Sequence, residues 1–308
     1  MEMRKVLFKE LEKIMRHNSE IIIINADLAK AAGLSGLNDI FPDRCFNVGV
    51  AEQNMAGVAA GMATYGFIPC IFSFAPFVTR RICDQIAISI CYAQQNVKLF
   101  GLDPGIAAEH NGGTHMSFED IGVLRSIPNI IIFEPCDEVQ FEKSILEILN
   151  YNGPVYIRMF RKETPKIFDE NYKFDLLKSD ILKKGEDISI FCTGIMVHEC
   201  LNASKILDNL GISSEIINIH TIKPIDKKAI LDSVRKTKRA ITAENHNVFG
   251  GLFSAVSEIL SENFPVMVKP IGIHNEFGQV GDMSFLKEYY GLTAKNIVEN
   301  ARRLMNKR

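Results

Sequence analysis

The sequence lacks the features that characterise several large classes of protein. Its 35 lysines and arginines are balanced by 37 aspartates and glutamates, so no excess of positive charge is available to neutralise a nucleic-acid backbone. No run of apolar residues approaches the roughly 18 residues of a membrane-spanning helix, and the amino terminus does not resemble a signal peptide. We therefore expect a cytoplasmic protein that binds neither nucleic acid nor a membrane.

Several cysteine and glycine motifs are also missing. The seven cysteines are odd in number and include no Cys-x-x-Cys pair, which argues against a disulfide framework and against a structural zinc site. The sequence contains neither the Gly-x-Gly-x-x-Gly motif of dinucleotide-binding folds nor a Gly-x-x-x-x-Gly-Lys-Ser/Thr phosphate loop. Ordinary dinucleotide or ATP binding therefore has little support.

What the sequence does contain is a regular alternation of short apolar runs with amphipathic segments. In the first half this pattern predicts strands at 20–25, 44–48, 67–72, 97–102, 129–133 and 155–158, and helices at 52–64, 77–92 and 137–149. After a charged, irregular stretch it predicts strands at 188–192, 214–219, 240–243 and 266–270, with helices at 196–210, 226–235 and 250–262. Such alternation indicates α/β domains with doubly wound, mostly parallel sheets. The length of 308 residues suits two of them.

The most unusual segment surrounds Glu52, which follows a predicted strand and begins a helix rich in alanine and glycine. An acidic residue in a first helical turn complements the helix dipole, so its position alone is compatible with a structural or a catalytic role. Phe74 and Phe77, three residues apart and followed by two arginines, could be core residues or a stacking platform for a flat ring. These alternatives remain open from the residues alone.

A glycine-rich stretch, 101–115, follows another predicted strand and carries Asp103, His110 and His115. Loops at the carboxyl ends of parallel strands are where ligands bind in open α/β sheets. A metal site at the two histidines is disfavoured, because no third ligand is evident nearby. In the second half, Glu244 and His246 are interpreted as helix-capping rather than catalytic, and His198, His220 and His274 as surface or capping residues.

Taken together, several segments resemble the pyrimidine-binding domain of transketolases, in order and at suitable spacing. They are Ala26-Asp27-Leu28, Val48 to Met55, Phe74-Ala75-Pro76-Phe77, Arg81 to Gln85 and Gly112-Gly113-Thr114-His115. The second half, with Glu244-Asn245-His246 and Gly250-Gly251, resembles the transketolase C-terminal domain. The resemblance implies a pyrimidine-binding-type domain at 1–165, a linker at 166–185 and a smaller C-terminal-type domain at 186–308. The chain is also similar to 1-deoxyxylulose-5-phosphate synthase and, more distantly, to beta subunits of 2-oxo acid dehydrogenases.

All of these enzymes use thiamine diphosphate, and the family holds the diphosphate through Mg²⁺ bound by a Gly-Asp-Gly motif. The nearest sequence here, Gly281-Asp282-Met283, lacks the second glycine. The resemblance therefore implies the C-terminal subunit of a split transketolase that holds no metal itself. A separate N-terminal subunit would carry the diphosphate-binding domain and most of the Mg²⁺ site. The family suggests a heterotetramer in which this chain also associates with itself, and the small-residue helix after Glu52 would lie in a subunit interface.

The resemblance also implies roles for particular residues. Glu52 would hydrogen-bond the pyrimidine ring nitrogen of the cofactor and so drive its amine into the form that removes the thiazolium proton. Phe77 would stack on the aminopyrimidine, Phe74 would line the same pocket, and His115 would lie near the reacting carbonyl. Asp27 and Arg80 complete the predicted cofactor-binding residues.

Substrate contacts are predicted at four positions, Asp103, His110, Arg158 and Arg161. Arg161 matches a phosphate-binding arginine of the family, but Asp103 stands where a histidine is typical and Ala31 where a serine is typical. The negative charge of Asp103 would disfavour a phosphate dianion, so a specialised donor or acceptor sugar is expected. The predicted activity is transfer of a two-carbon ketol unit between sugars or sugar phosphates. The alternatives are a beta-type subunit of a 2-oxo acid dehydrogenase, a deoxyxylulose-phosphate-synthase-like enzyme and a non-catalytic scaffold.

Overall fold

Seven strands form the first sheet of the computed structural model, which describes residues 1–306. They are β1 (Ile21–Asn25), β2 (Cys45–Asn47), β3 (Ile68–Phe74), β4 (Lys98–Leu102), β5 (Ile131–Phe133), β6 (Val155–Met159) and β10 (Thr221–Lys223). Their order across the sheet is β10-β5-β6-β4-β3-β1-β2, and every pairing except that of β10 with β5 is parallel. The predicted doubly wound, mostly parallel sheet is confirmed.

Burial on both faces explains why these strands read as continuous apolar runs. All five residues of β1 are buried, and successive side chains of a strand point to opposite faces. Ile21 and Ile23 pack in one core with the helices α1 (Met3–Met15) and α6 (Glu138–Asn150), whereas Ile22 and Ile24 pack on the other face with α4 (Glu52–Thr64). The helices α2 (Ala29–Ala32), α3 (Ser35–Ile40) and α5 (Asp120–Arg125) are short.

The segment predicted as one helix at 77–92 differs in the structure. It forms a 3₁₀ turn at Arg80–Ile82 and then a π-helix at Gln85–Tyr92. The α-helical path is interrupted at Thr79, whose backbone angles are φ −130° and ψ −85° and whose hydroxyl donates to the carbonyl oxygen of Ala75. Such irregular turns often occur at functional sites. Here the turn directs Arg81 toward Glu52 and Arg80 toward Glu119.

A second sheet of five strands follows. It contains β7 (Asp180–Lys183), β8 (Ile188–Cys192), β9 (Ser214–Asn218), β11 (Ala240–Asn247) and β12 (Val268–Ile273), in the order β12-β11-β8-β9-β7. The core on one face includes residues of α7 (Met196–Asn209) and α11 (Ala294–Met305), and the core on the other includes α8 (Lys227–Thr237) and α9 (Leu252–Asn263); α10 (Met283–Tyr289) follows the last strand. This confirms the predicted second α/β domain.

Two strands were not predicted. β7 lies inside the range 166–185 expected to be linker, and it pairs antiparallel with β9 at the edge of the second sheet. Its residues are half-buried or exposed, so it carries none of the apolar signal of a central strand. β10 comes from the second half of the sequence but pairs antiparallel with β5 in the first sheet. Within residues 1–306, no helix is long and apolar enough to cross a membrane.

His220 and His246 lie completely buried, so the surface interpretation of His220 was wrong. Burial lowers the pKa of each to about 4, from an ordinary value of 6.5. The unfolded chain therefore binds more protons than the folded chain between pH 6.5 and pH 4. Stability that is fully present above this window is lost as the pH falls through it.

We expect each buried histidine to remove on the order of 3 kcal/mol from the free energy of unfolding by the acid end of this window. Urea unfolding at a series of pH values would measure the loss. His220→Phe should reduce the slope of the free energy of unfolding against pH, because phenylalanine does not titrate. The side chain should be accommodated, since His220 already packs edge-on against Phe133. The exposed His17, changed to glutamine, is the control. An unchanged slope in His220→Phe would contradict the prediction.

Candidate active site

Glu52 provides a buried carboxylate at the first residue of α4, with 4% of its surface exposed. Its Oε1 atom accepts a hydrogen bond from Arg81 Nη1 at 2.8 Å and a longer one from Ser73 Oγ, on β3, at 3.4 Å. Its Oε2 atom accepts no hydrogen bond within the part of the chain that the structure describes. The site therefore holds a desolvated acid with one oxygen free for a ligand.

Two aromatic rings and a histidine lie beside this carboxylate. Phe74 ends β3, and its ring centre is 6.2 Å from that of Phe77 in an edge-to-face arrangement. His115 contacts both, at 5.2 Å from Phe74 and 5.1 Å from Phe77. The structure thus brings Phe74, Phe77 and His115 into contact, and Arg81 connects Phe77 to Glu52. The sequence predicted Glu52 and these three residues for one site.

His115 is held in a form suited to proton exchange. Thr114 Oγ1 lies 2.9 Å from His115 Nδ1, which leaves Nε2 for another partner. Partial burial, assisted by the positive charge of Arg81, lowers the pKa of His115 below its usual value. The imidazole is therefore neutral near pH 7 and can accept a proton there.

Arg81, rather than Arg80, is the arginine that reaches the carboxylate. Its guanidinium carbon lies 3.8 Å from the centre of the Phe77 ring while Nη1 contacts Glu52. Arg80 instead donates to Glu119 Oε1 at 2.6 Å. The sequence showed the two arginines side by side, but the 3₁₀ turn that separates their directions could not be derived from it.

Asp27 and His110 lie outside these contacts. Asp27 follows β1 with φ +61° and exchanges hydrogen bonds with Asn47 at the end of β2. It therefore occupies the carboxyl edge of the same sheet. His110 is exposed in the 3₁₀ segment Gly105–Asn111. No described contact joins His110 to Glu52 or to His115.

The predicted substrate role of Arg158 does not agree with the structure. Arg158 is 1% exposed. Its Nε donates to Asp120 at 2.8 Å, Nη1 donates to Glu134 at 2.6 Å, and Nη2 donates to the carbonyl oxygens of Ser117 and Asn245. Because every nitrogen is engaged and the side chain is enclosed, Arg158 joins the two domains instead of facing a substrate.

The electrostatic argument from Asp103 also needs correction. Asp103 is 1% exposed and forms an ion pair with Arg161, whose Nε donates to Oδ2 at 2.6 Å. Arg161 Nη1 donates to the carbonyl oxygen of Ala31 at 2.9 Å, and its guanidinium carbon is 5.1 Å from the Phe74 ring centre. Arg161 therefore lies next to the aromatic pair and neutralises Asp103. The negative charge that was expected to exclude a phosphate is not free.

Glu244, on β11, has the predicted capping role at the start of α9, whereas His246 contacts Gly122 and Asn247 instead. Glu244 accepts hydrogen bonds from the backbone N–H groups of Leu252 and Phe253, at 2.6 and 2.8 Å. Burial raises the pKa of Glu244 to about 8. Gly251 must be glycine here, because a Cβ atom would come within 2.0 Å of the Glu244 carboxylate.

The site fits the aminopyrimidine half of thiamine diphosphate. A half-buried aromatic face at Phe77 stands beside a carboxylate with a free oxygen, which suits stacking and hydrogen bonding by a flat, basic ring. No group of three or more side chains that could hold a metal ion occurs within residues 1–306. Asp282 lies in Gly281-Asp282-Met283, the segment whose sequence most resembles the family's metal-binding motif. It caps α10 by accepting a hydrogen bond from the N–H of Phe285.

Comparison with known proteins finds two family domains in this chain. The family described as the transketolase pyrimidine-binding domain matches residues 1–166, and the transketolase C-terminal domain matches residues 177–297. A 6-deoxy-6-sulfo-D-fructose transketolase subunit of Clostridium sp. (strain MSTE9) is 47% identical over 92% of this chain and 88% of its own length. An apulose-4-phosphate transketolase subunit of Actinobacillus succinogenes is 34% identical over 96% of both chains.

Similar structures and longer relatives extend the comparison. A solved structure described as a split gene transketolase, an inactive beta4 tetramer, has a TM-score of 0.90 and 37% identity, covering 99% of this chain and 98% of that chain. The 1-deoxy-D-xylulose-5-phosphate synthase of Heliobacterium modesticaldum is 32% identical over 97% of this chain but only 46% of its own length. The chain therefore belongs to the transketolase family, as a homologue of split transketolase subunits that combines the pyrimidine-binding and C-terminal domains.

Proposed function

We propose that this chain is one subunit of a thiamine diphosphate-dependent transketolase that transfers a two-carbon ketol unit between sugars. The observation that carries the proposal is the buried Glu52 carboxylate, with one free oxygen, beside the half-buried ring of Phe77 and the neutral His115. Bound thiamine diphosphate supplies a carbon nucleophile that adds to carbonyl groups. This chain's residues provide the environment in which that nucleophile forms.

Each residue has a separate task in this proposal. The Oε2 atom of Glu52 would bind the pyrimidine ring nitrogen and hold the proton there, in a site where water cannot compete for it. Phe77 would fix the plane of the ring. Because its lowered pKa leaves it neutral, His115 would first take a proton from the donor hydroxyl group that becomes a carbonyl. As the imidazolium it would then return that proton to the carbonyl oxygen of the acceptor.

A separate N-terminal subunit would complete the site by holding Mg²⁺ and the diphosphate. Asp282 is already used as a helix cap. Two relatives that match over most of their length are described as subunits, and one similar solved structure as a split gene transketolase. Along α4, Gly57 and Gly61 lie one turn apart, and a Cβ atom added at either would meet nothing within 4 Å. This open, small-residue face suits close approach by another subunit, as in a heterotetramer.

The substrate we propose is a specialised sugar, and the pairing of Asp103 with Arg161 makes an anionic group on it acceptable. Two relatives support a specialised sugar with an anionic group. One is described as a 6-deoxy-6-sulfo-D-fructose transketolase subunit and the other as an apulose-4-phosphate transketolase subunit. We place the substrate near Arg161, because that guanidinium lies against Phe74. Asp27 and Arg80 would contact the cofactor or its partner subunit at the same edge of the sheet.

Co-purification with the candidate N-terminal subunit tests the function. The assembled enzyme should transfer a ketol unit to an aldose from a sulfo-ketose, or from a phospho-ketose other than xylulose 5-phosphate. Each subunit alone should be inactive. Efficient turnover of xylulose 5-phosphate with ribose 5-phosphate would contradict the specialised substrate. Turnover by this chain alone would contradict the need for a partner.

A second candidate function is synthesis of a deoxyketose phosphate, which the similarity to 1-deoxy-D-xylulose-5-phosphate synthases favours. Carbon dioxide release from pyruvate distinguishes it, because ketol transfer releases none. Recovery of a lipoyl acyltransferase in a pull-down would instead indicate a 2-oxo acid dehydrogenase component. Assembly without any turnover would indicate a non-catalytic scaffold.

A further inference from the structure

The side chain of Arg81 makes the two contacts that an aminopyrimidine would need from this site. Its planar guanidinium lies over Phe77, with its central carbon 3.8 Å from the ring centre. Its Nη1 donates to Glu52 Oε1 at 2.8 Å. A flat cation stacked on Phe77 covers the ring face on which a pyrimidine would stack, so the two cannot lie there together. Its hydrogen bond goes to Oε1 and leaves Oε2 free for the ring that replaces it.

The backbone of Arg81 is fixed, whereas its side chain is free to move. Its N–H donates to the carbonyl oxygen of Pro76 at 3.1 Å, and its own carbonyl oxygen accepts from Gln53. The side chain is 42% exposed while that of Glu52 is 4% exposed. Water can therefore solvate the guanidinium when it leaves, and no backbone rearrangement is required.

Glu52 has a physical need for a cation when the cofactor is absent. A carboxylate removed from water is costly unless a positive charge or hydrogen bonds compensate it. The only cation paired with Glu52 in the part of the chain that the structure describes is Arg81. A bound pyrimidine ring that shares a proton with Glu52 would take over this compensation.

We propose that Arg81 is a placeholder for the aminopyrimidine ring, which covers Phe77 and pairs with Glu52 until the cofactor displaces it. The proposal rests on the proposed function and adds a positioning residue to it. Arg81 pairs with the buried carboxylate in the unliganded subunit. It also lowers the apparent cofactor affinity, because only molecules in which it has swung away can bind the ring.

Removal of Arg81 should therefore have two effects of opposite direction. If the guanidinium covers Phe77 in about nine of ten molecules, its removal tightens cofactor binding about tenfold. At the same time, the unliganded protein should unfold at a lower urea concentration, because Glu52 loses its cation. If Arg81 had only a structural role, its removal would weaken both cofactor binding and stability. If Arg81 contacted the bound cofactor, its removal would weaken cofactor binding.

The experiment is calorimetric titration of thiamine diphosphate, at saturating Mg²⁺, into the complex of this chain with its N-terminal subunit. The variants are Arg81→Ala and Arg81→Met. Arg81→Met keeps the apolar part of the side chain and is used if Arg81→Ala does not assemble. Arg16→Ala is the matched control, since Arg16 also pairs with a glutamate, Glu12, and approaches an aromatic ring, Phe41, at 6.0 Å. The dissociation constant of the control should stay within about twofold of the wild-type value, as for distant surface sites.

The outcomes separate this proposal from the proposed function. About tenfold tighter binding by an Arg81 variant that has lost stability supports the placeholder. Tight binding by the wild type with unchanged or weaker binding by both Arg81 variants overturns the placeholder and leaves the proposed function standing. No binding by the wild-type complex overturns both.

Discussion

Replacing Glu52 with glutamine should lower ketol transfer by the assembled enzyme at least about a hundredfold. Glutamine has the same shape as glutamate but cannot take the proton of a pyrimidine ring nitrogen. Because Glu52 is 4% exposed and its neighbours Ser73 and Arg81 can still donate to an amide oxygen, the variant should fold and assemble. Steady-state turnover together with size-exclusion chromatography measures both properties.

The matched control for Glu52→Gln is Glu215→Gln in the second sheet. Glu215 is also buried, and it also accepts from a basic side chain and a serine, Lys236 and Ser233. Its replacement removes a comparable ion pair without touching the site, so turnover should be kept even if stability falls. Full activity of Glu52→Gln, or equal losses in both variants, would contradict the catalytic role of Glu52.

Replacing Arg158 with methionine should lower the free energy of unfolding by about 3–5 kcal/mol, the range measured when one member of a buried ion pair is removed. Asp120 and Glu134 would be left as buried carboxylates without their cation. The link from β6 to the carbonyl oxygen of Asn245 in the second domain would also be lost. Urea unfolding of the chain, followed by circular dichroism, provides the measurement.

Two further variants identify the cause of this loss. Adding Glu134→Gln to Arg158→Met should recover part of the stability, because one uncompensated charge is removed. Arg16→Met, at an exposed ion pair, should cost less than about 1 kcal/mol. If Arg158→Met were as stable as the wild type but bound substrate poorly, the substrate role predicted from the sequence would be correct and the structural role wrong.

Local patterns explain how much of the fold was predictable. The predicted helix at 52–64 matches α4, and the predicted strand at 188–192 matches β8. Both could be predicted because the arrangement of apolar residues is visible within each segment itself. β10 was missed because its three residues gain their place only by pairing with β5, nearly ninety positions earlier in the chain. Such long-range pairing leaves no mark on the local pattern.

In the candidate site too, some residues could be predicted from the sequence and some contacts could not. Glu52, Phe74, Phe77 and His115 were identified because their motifs occur in the family's order, and the sheet then brings them together. The contact of Arg81 with Glu52 was missed, because the direction of its side chain depends on the 3₁₀ turn that follows Thr79. The burial of Arg158 was equally hidden, since its partners come from three separate segments of the chain.

Calorimetric titration of thiamine diphosphate and Mg²⁺, first into this chain alone and then into its complex with the N-terminal subunit, tests the central claim most directly. The account predicts that the chain alone binds the cofactor weakly or not at all, since it supplies only the pyrimidine half of the site. The complex should bind it tightly. Tight binding by the chain alone, or no binding by the complex, would contradict the account of a cofactor site divided between two subunits.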